Sequence, residues 1–317
     1  MYKNLREAAS SSDFPILLRN TMNKTMLREY QAVPSNWEKF CSVDDKIKDF
    51  KDKNVTRLSE ADKLLKVEEN GEYKDSKLGD SGMSYHVDKY GRVFSVSWET
   101  IINDDTNTIM KQPKRFGRAA KRTLNQFVIN DILEGNIKTY DGKTLFHEDH
   151  DNLLTGSESK LTPANVQLGI TRMRRTKDDK DNIIYVPVKY LIVPPELEFE
   201  AKKIVKSVTD IEANNSGVIN PIQGTLEVIV EDHLIDPDAW YIAADPKDVE
   251  TIEVGFLKHI GRNPQLFIKD VGAIYASGGK VNIYEGSFEN DKIDYKVRHA
   301  WGATAVDYRG MFKGAGK

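Results

Sequence analysis

The stretch that most constrains this chain runs from Asp104 to Gly135, DDTNTIMKQPKRFGRAAKRTLNQFVINDILEG. Asn103, Asp104 and Asp105 offer side-chain acceptors to the free N–H groups of a helix start, and Gly135 suits a stop. Pro113 and Gly117 weaken the first turns, so the regular helix is expected to begin near Pro113. At a helical step Phe116, Ala120, Thr123, Leu124 and Phe127 fall on one face. Lys111, Lys114, Arg115, Arg118 and Arg122 fall on the other, with Lys121 at its edge. No acid lies between Thr106 and Asn130, so this face is basic rather than laced with ion pairs. Ile129, Ile132 and Leu133 emerge on the formerly basic side, which predicts an enclosed helix end. At about 1.5 Å per residue the helix is roughly 30–45 Å long. It reads as a spine.

The 317 residues leave room for two core-bearing lobes around such a spine. With 30% charged and 39% hydrophobic residues, the composition is that of a soluble folded chain. A formal charge of −3 argues against a generally basic nucleic-acid binder and leaves room for a local basic face. Cys41 is the only cysteine, which excludes an intrachain disulfide and points to a reducing compartment at synthesis. There is no apolar run of membrane length, MYKNLREAASSS lacks a signal-peptide core, and no repeat of solenoid period occurs.

Residues 1–55 are mixed, with Phe14, Leu17, Leu18, Trp37 and Phe40 set among polar residues. Two readings stand: an arm docking elsewhere, on another subunit for instance, or a layer over the chain's own core. Residues 56–103 begin with a polar, charge-rich segment. Two alternating runs follow, Ser84–Val87 and Arg92–Trp98, and with the Asp88–Gly91 turn they predict a β-hairpin. Carrying Tyr85, Val93, Phe94 and Trp98, such a hairpin needs support, and a neighbouring chain would supply it. Thr162-Pro163 starts a helix that buries Val166, Ile170 and Met173. Lys189–Val193 reads as a buried strand, and Pro194-Pro195 stops it and opens a helix with Leu197, Ala201, Ile204 and Val205 inward. Strands then recur in TLEVIVEDHL, AWYIAA, TIEVGFL, QLFIK, KVNIYEG and DYKVRHAWGATAVDY. Helices early and strands late predict an α+β fold rather than a doubly wound one. The ending GMFKGAGK, small and polar, is expected to fray.

Candidate chemistry is sparse. His147-Glu148-Asp149-His150 is the one metal-like cluster, but the spacing is not HExxH and no third ligand or placed base is evident. A polar loop behind the Leu145-Phe146 anchor explains it more simply. His86, His233, His259 and His299 are scattered. No nucleophile elbow, phosphate loop or dinucleotide fingerprint occurs, and Cys41 lacks an activating neighbourhood. Capping accounts for Asp104 and Asp105 without a catalytic carboxylate set that would include Asp131. Nothing marks an enzyme, and no cofactor is implied. The basic helix face is the better signal: its six Lys/Arg suit phosphates tracked without sequence readout, or else form an ordinary charged solvent face.

Together the segments YHVDKYGRVFSVSWETIINDD, FGRAAKRTLNQFV, DGKTLFHEDHDNL, KYLIVPPELEFEAKKIV and VRHAWGATAVDYRGMFKG resemble major capsid proteins of tailed bacteriophages with the HK97-type fold, in particular the Mu-like major head subunit group. The resemblance covers most of the chain from about residue 14 onward.

It implies residues 1–55 as an N-terminal arm, 56–103 as an extended β-hairpin loop, and 104–160 as a peripheral domain with the spine helix. Residues 161–290 would be an axial domain and 291–317 strands returning to the peripheral domain. It further implies a virion shell protein forming hexamers and pentamers around double-stranded DNA. That shell would assemble in the bacterial host cytoplasm, with portal, scaffolding and decoration proteins as partners and no membrane. Tyr85, Val87, Phe94, Trp98, Trp37 and Phe40 are then expected at inter-subunit contacts. Lys111, Lys114, Arg115, Arg118, Lys121 and Arg122 would form a lumenal basic face. No scaffolding-like coiled coil precedes residue 14, so scaffolding is a separate protein or the chain is already trimmed. An encapsulin-like compartment, and a metal-dependent hydrolase using His147, Glu148 and His150, are the alternatives.

Overall fold

The structure, a computed structural model, describes residues 13–58, 80–97, 108–209, 219–269 and 291–316, with isolated positions 66, 99–100 and 103. It is built from two five-stranded sheets and a two-stranded ribbon. The expected hairpin and tail contribute to them differently from the sequence reading.

The first sheet centres on β11 (Lys292–Ala305). One edge of β11 carries β4 (Asp88–Ser97), antiparallel from Lys292↔Ser97 to Trp301↔Asp88. Its other edge carries β10 (Gln265–Ile268) and then β9 (Ile252–Leu257), and β1 (Ser42–Ile47) adds parallel to β9. The ribbon is β2 (Lys53–Leu58) paired with β3 (Asp80–Tyr85). Thus Ser84–Tyr85 and Arg92–Ser97 of the alternating runs are strand, but the two strands do not pair with each other, and Asp88–Gly91 is strand rather than turn. A local turn is outweighed by the long β11 partner, against which Phe94 stacks on Tyr295 and Tyr90 on Trp301.

The second sheet has the order β5-β12-β8-β6-β7. Its strands are β5 (Leu153–Leu154), β6 (Val188–Val193), β7 (Glu227–Val230), β8 (Trp240–Ala244) and β12 (Met311–Gly314). The C-terminal stretch that was expected to fray is therefore an inner strand, with Met311 and Phe312 fully buried. Its glycine serves packing: a Cβ on Gly314 would lie 2.1 Å from the Trp240 ring.

Among the described residues four α-helices pack around the sheets. α1 (Asp13–Ala32) lies along the spine helix α2 (Thr108–Gln126), which continues as a π-helical segment, Phe127–Glu134. The spine begins before Pro113, which sits inside it and is buried. Its buried face runs through Pro113, Gly117, Lys121, Leu124 and Val128, while Thr123 is exposed. This face is rotated from the expected one because α1 covers it: a Cβ on Gly117 would meet the Met26 carbonyl oxygen at 2.3 Å. α3 (Pro163–Arg174) starts as expected, the Thr162 hydroxyl accepting the Asn165 N–H at 3.2 Å. α3 and α4 (Glu198–Lys206) cover one face of the second sheet through Val166, Met173, Ala201, Ile204 and Val205.

The principal core lies between the sheets. Val128, Ile129, Ile132 and Leu133 of the spine end meet Ile192, Tyr241 and Met311 of the second sheet and Val254, Phe256 and Trp301 of the first. Trp37 and Phe40, each 1% exposed, belong to this same core. Of the two readings of the N-terminal region, the layer over the chain's own core holds for these residues.

Candidate functional site

The basic face divides once the spine is in place. At a helical step Lys111, Arg115, Arg118 and Arg122 form one stripe, and all four are exposed. Arg118 is tied to α1: its guanidinium meets the nearly buried Glu29 carboxylate at 2.7 and 2.8 Å. Lys121 lies inside the protein, with its ammonium 3.0 Å from Glu38 and above the rings of Tyr30 at 4.9 Å and Trp37 at 6.0 Å. It does not belong to a solvent-facing patch, because α1 and the turn after it close over that side. Among the described residues no ion pair engages Lys111, Lys114, Arg115 or Arg122. The free positive charge is therefore narrower than the sequence pattern.

Neighbouring groups sew the N-terminal turn onto the spine. The Trp37 indole N–H and the Ser35 hydroxyl donate to Asn125 Oδ1, and the Asn125 amide donates to the Pro34 carbonyl. Close by, the Ala300 N–H donates to His299 Nδ1 at 2.8 Å, so Nε2 carries the ring proton. Nε2 faces the Arg262 carbonyl and the Tyr30 hydroxyl, each at 3.1 Å. Burial, with a smaller effect from Lys121, holds the imidazole down to about 4. A cleft of about 300 Å³ opens beside this junction, between Tyr30, Trp37, Lys121 and Arg262.

The residues expected at subunit contacts also divide. Tyr85 and Val87 are 7% and 2% exposed, packed with Ile47, Val55, Leu257, Ala300 and Val306 of their own chain. The Tyr85 hydroxyl donates to Glu253 at 2.5 Å, and burial together with that bond pushes the phenol up. Phe94 is half-buried in a stack between Phe116 at 4.6 Å and Tyr295 at 4.9 Å. Tyr85, Val87, Trp37 and Phe40 thus have their apolar surface covered within the protomer. Trp98 lies outside the described residues. What the first sheet does leave exposed is Val93, at 63%, with Phe50, at 49%, beside Lys89. The sequence reading passed over Glu29, Glu38 and Glu253, which bind the residues it had singled out; acids distant in sequence carry no local signal.

The histidine cluster is engaged locally. His150 stacks on Tyr308 at 3.7 Å and its Nε2 meets Asp141 at 2.7 Å. The His147 ring accepts the Asp149 N–H, and Lys143 pairs with Asp149 at 2.8 Å. Among the described residues no group of three or more His, Cys, Asp or Glu is placed to hold a metal ion.

No curated protein matches the chain in sequence. A family model described as phage capsid protein matches residues 81–314, most of the chain. The chain belongs to the phage capsid protein family. Solved chains from two phages share the fold of this capsid protein. One, from Microbacterium phage Oxtober96, is 11% identical, with a TM-score of 0.54 over 86% of this chain and 85% of that one. Another, from Mycobacterium phage Bobi, is 12% identical, with a TM-score of 0.53 over 88% and 89%. The holo-SrpI encapsulin complex from Synechococcus elongatus PCC 7942 shares it too, at 8% identity and a TM-score of 0.52 over 89% and 88%. The capsid protein is a structural, self-associating component of the virion with the HK97-type α+β fold. Among its described residues no helix is long and apolar enough to cross a membrane.

Proposed function

We propose that this capsid protein assembles into hexamers and pentamers of an icosahedral phage head enclosing double-stranded DNA. The observation carrying the DNA part is the exposed stripe of Lys111, Arg115 and Arg122, which no acid of the described chain neutralises. Cations spaced along one helix face suit phosphates and read no bases. On this reading the stripe faces the lumen. The first sheet with the spine is the peripheral part, the second sheet with α3 and α4 the axial part, and the ribbon with Val93, Phe50 and Trp98 reaches neighbouring copies. Assembly takes place in the host cytoplasm with portal and scaffolding proteins, and the protein catalyses nothing.

The encapsulin likeness favours a second reading, a compartment around protein cargo. Negative-stain microscopy with light scattering on the purified chain, alone and co-expressed with its genomic neighbours, tests both. Closed angular particles with nuclease-protected DNA are expected. Closed particles holding protein alone would favour the compartment, and a persistent monomer in both preparations would refute the shell.

A further inference from the structure

Two glycines that no turn requires face each other in the first sheet: Gly255 of β9 pairs in register with Gly302 of β11. Neither has a left-handed backbone, so conformational freedom does not explain them. Space does. A Cβ on Gly255 would lie 2.2 Å from the Tyr85 hydroxyl oxygen, and one on Gly302 would lie 2.1 Å from the His86 carbonyl oxygen and 3.1 Å from the Tyr85 ring. The pair leaves a notch without side chains of its own, which the Tyr85 ring fills together with the Ile47 Cδ1, 2.4 Å from where a Gly255 Cβ would lie.

The ring is held at its far end as well. Its hydroxyl donates to Glu253 Oε1 at 2.5 Å, and the Lys53 ammonium meets that same oxygen at 2.6 Å and Asp44 at 2.6 Å. Lys53 and Tyr85 are themselves directly opposite in the ribbon, so one rung of the β2–β3 pair carries every one of these contacts. The notch prevents the rung from sliding across the sheet, and the ion-paired oxygen prevents it from lifting off.

We propose that Tyr85, seated in the Gly255–Gly302 notch and bonded with Lys53 to Glu253, is a positioning residue that fixes the angle at which the ribbon leaves the protomer, and thereby the curvature with which copies join. The second half of this rests on the shell reading above; the first does not. A six-residue strand is about 20 Å long. An error of about 10° at its base moves its end by roughly 3–4 Å, more than a hydrogen bond tolerates. A fixed base is therefore what a ribbon reaching a neighbour requires.

The test uses Tyr85→Phe, which keeps the ring in the notch and removes its bond, with Lys53→Met as a second variant. Spin labels at Thr56→Cys on the ribbon and Lys258→Cys on the body, both exposed positions, report the angle as a distance, while Cys41 is buried and stays unlabelled. Labelled chain is diluted into unlabelled chain so that only distances within a protomer are read. The expected result is an about twofold broader distance distribution in both variants, a melting curve lowered more in Lys53→Met, which leaves Asp44 and the buried Glu253 without their cation, than in Tyr85→Phe, and shells of mixed diameter. An unchanged distribution overturns the latch, whatever the shells do. Broadening in the variants, where the unaltered chain itself forms no shells, upholds the latch and refutes the shell reading instead. Broadening with shells of unaltered diameter overturns the control of curvature.

Discussion

At the scale of single residues, burial decides between two readings of the same aromatic side chain. Phe40 sits in the principal core, so Phe40→Ala is expected to lower the urea stability of the isolated protomer by about 3–5 kcal/mol. A residue reserved for a neighbour would leave that curve unmoved. His299 supplies a second expectation, this time in pH. Its imidazole is held down to about 4 in the folded chain, against about 6.5 when unfolded. As pH falls through the upper value the unfolded chain takes up a proton and the folded chain does not. The stability due to the neutral ring is therefore present above about pH 6.5 and lost progressively toward pH 4, on the order of 3 kcal/mol in all. In His299→Phe, proton uptake on unfolding near pH 5 should fall by about one. An unchanged uptake, measured from denaturation midpoints across that window, would show that the ring titrates normally.

At the scale of elements, the spine carries both structure and exposed charge, and the two roles fall on different side chains. Triple reversal at Lys111, Arg115 and Arg122 should leave folding and empty shells intact while nuclease-protected DNA drops. Full DNA retention would remove the lumenal assignment. Arg118 is kept out of that set because its reversal would strand Glu29, nearly buried, beside another acid. The existence of most elements was legible: the spine, the Thr162-capped helix, and the strand stopped at Pro194 follow from period, cap and breaker. Partners were not legible. Alternation in Arg92–Trp98 identifies a strand but says nothing of β11, roughly 200 residues away, because pairing over such separations is decided by packing rather than by local propensity. The same limit concealed Glu29 and Glu38. The two strand glycines were visible in TIEVGFL and HAWGATA, yet only the ring above them gives the reason.

At the scale of the whole molecule, the spine end joins the inner faces of both sheets into one core. A chain built this way should unfold as a unit. Differential scanning calorimetry of the protomer is expected to show a single transition, with calorimetric and van't Hoff enthalpies in a ratio of about one. Two separated transitions would mean that the sheets fold independently and merely touch.

The rung that seats the ribbon also has a history within the life of each chain. Lys53 must wait for Glu253, which follows it by 200 residues. At roughly 5–20 residues per second, the ribosome takes about 10–40 s to deliver it. Throughout that interval the early strands have been made and their acceptor has not. A nascent chain on a polysome, crowded by others at the same stage, therefore cannot present a correctly aimed ribbon to its neighbours. Competence to join a lattice is acquired late in synthesis, and growth of the lattice draws on finished molecules.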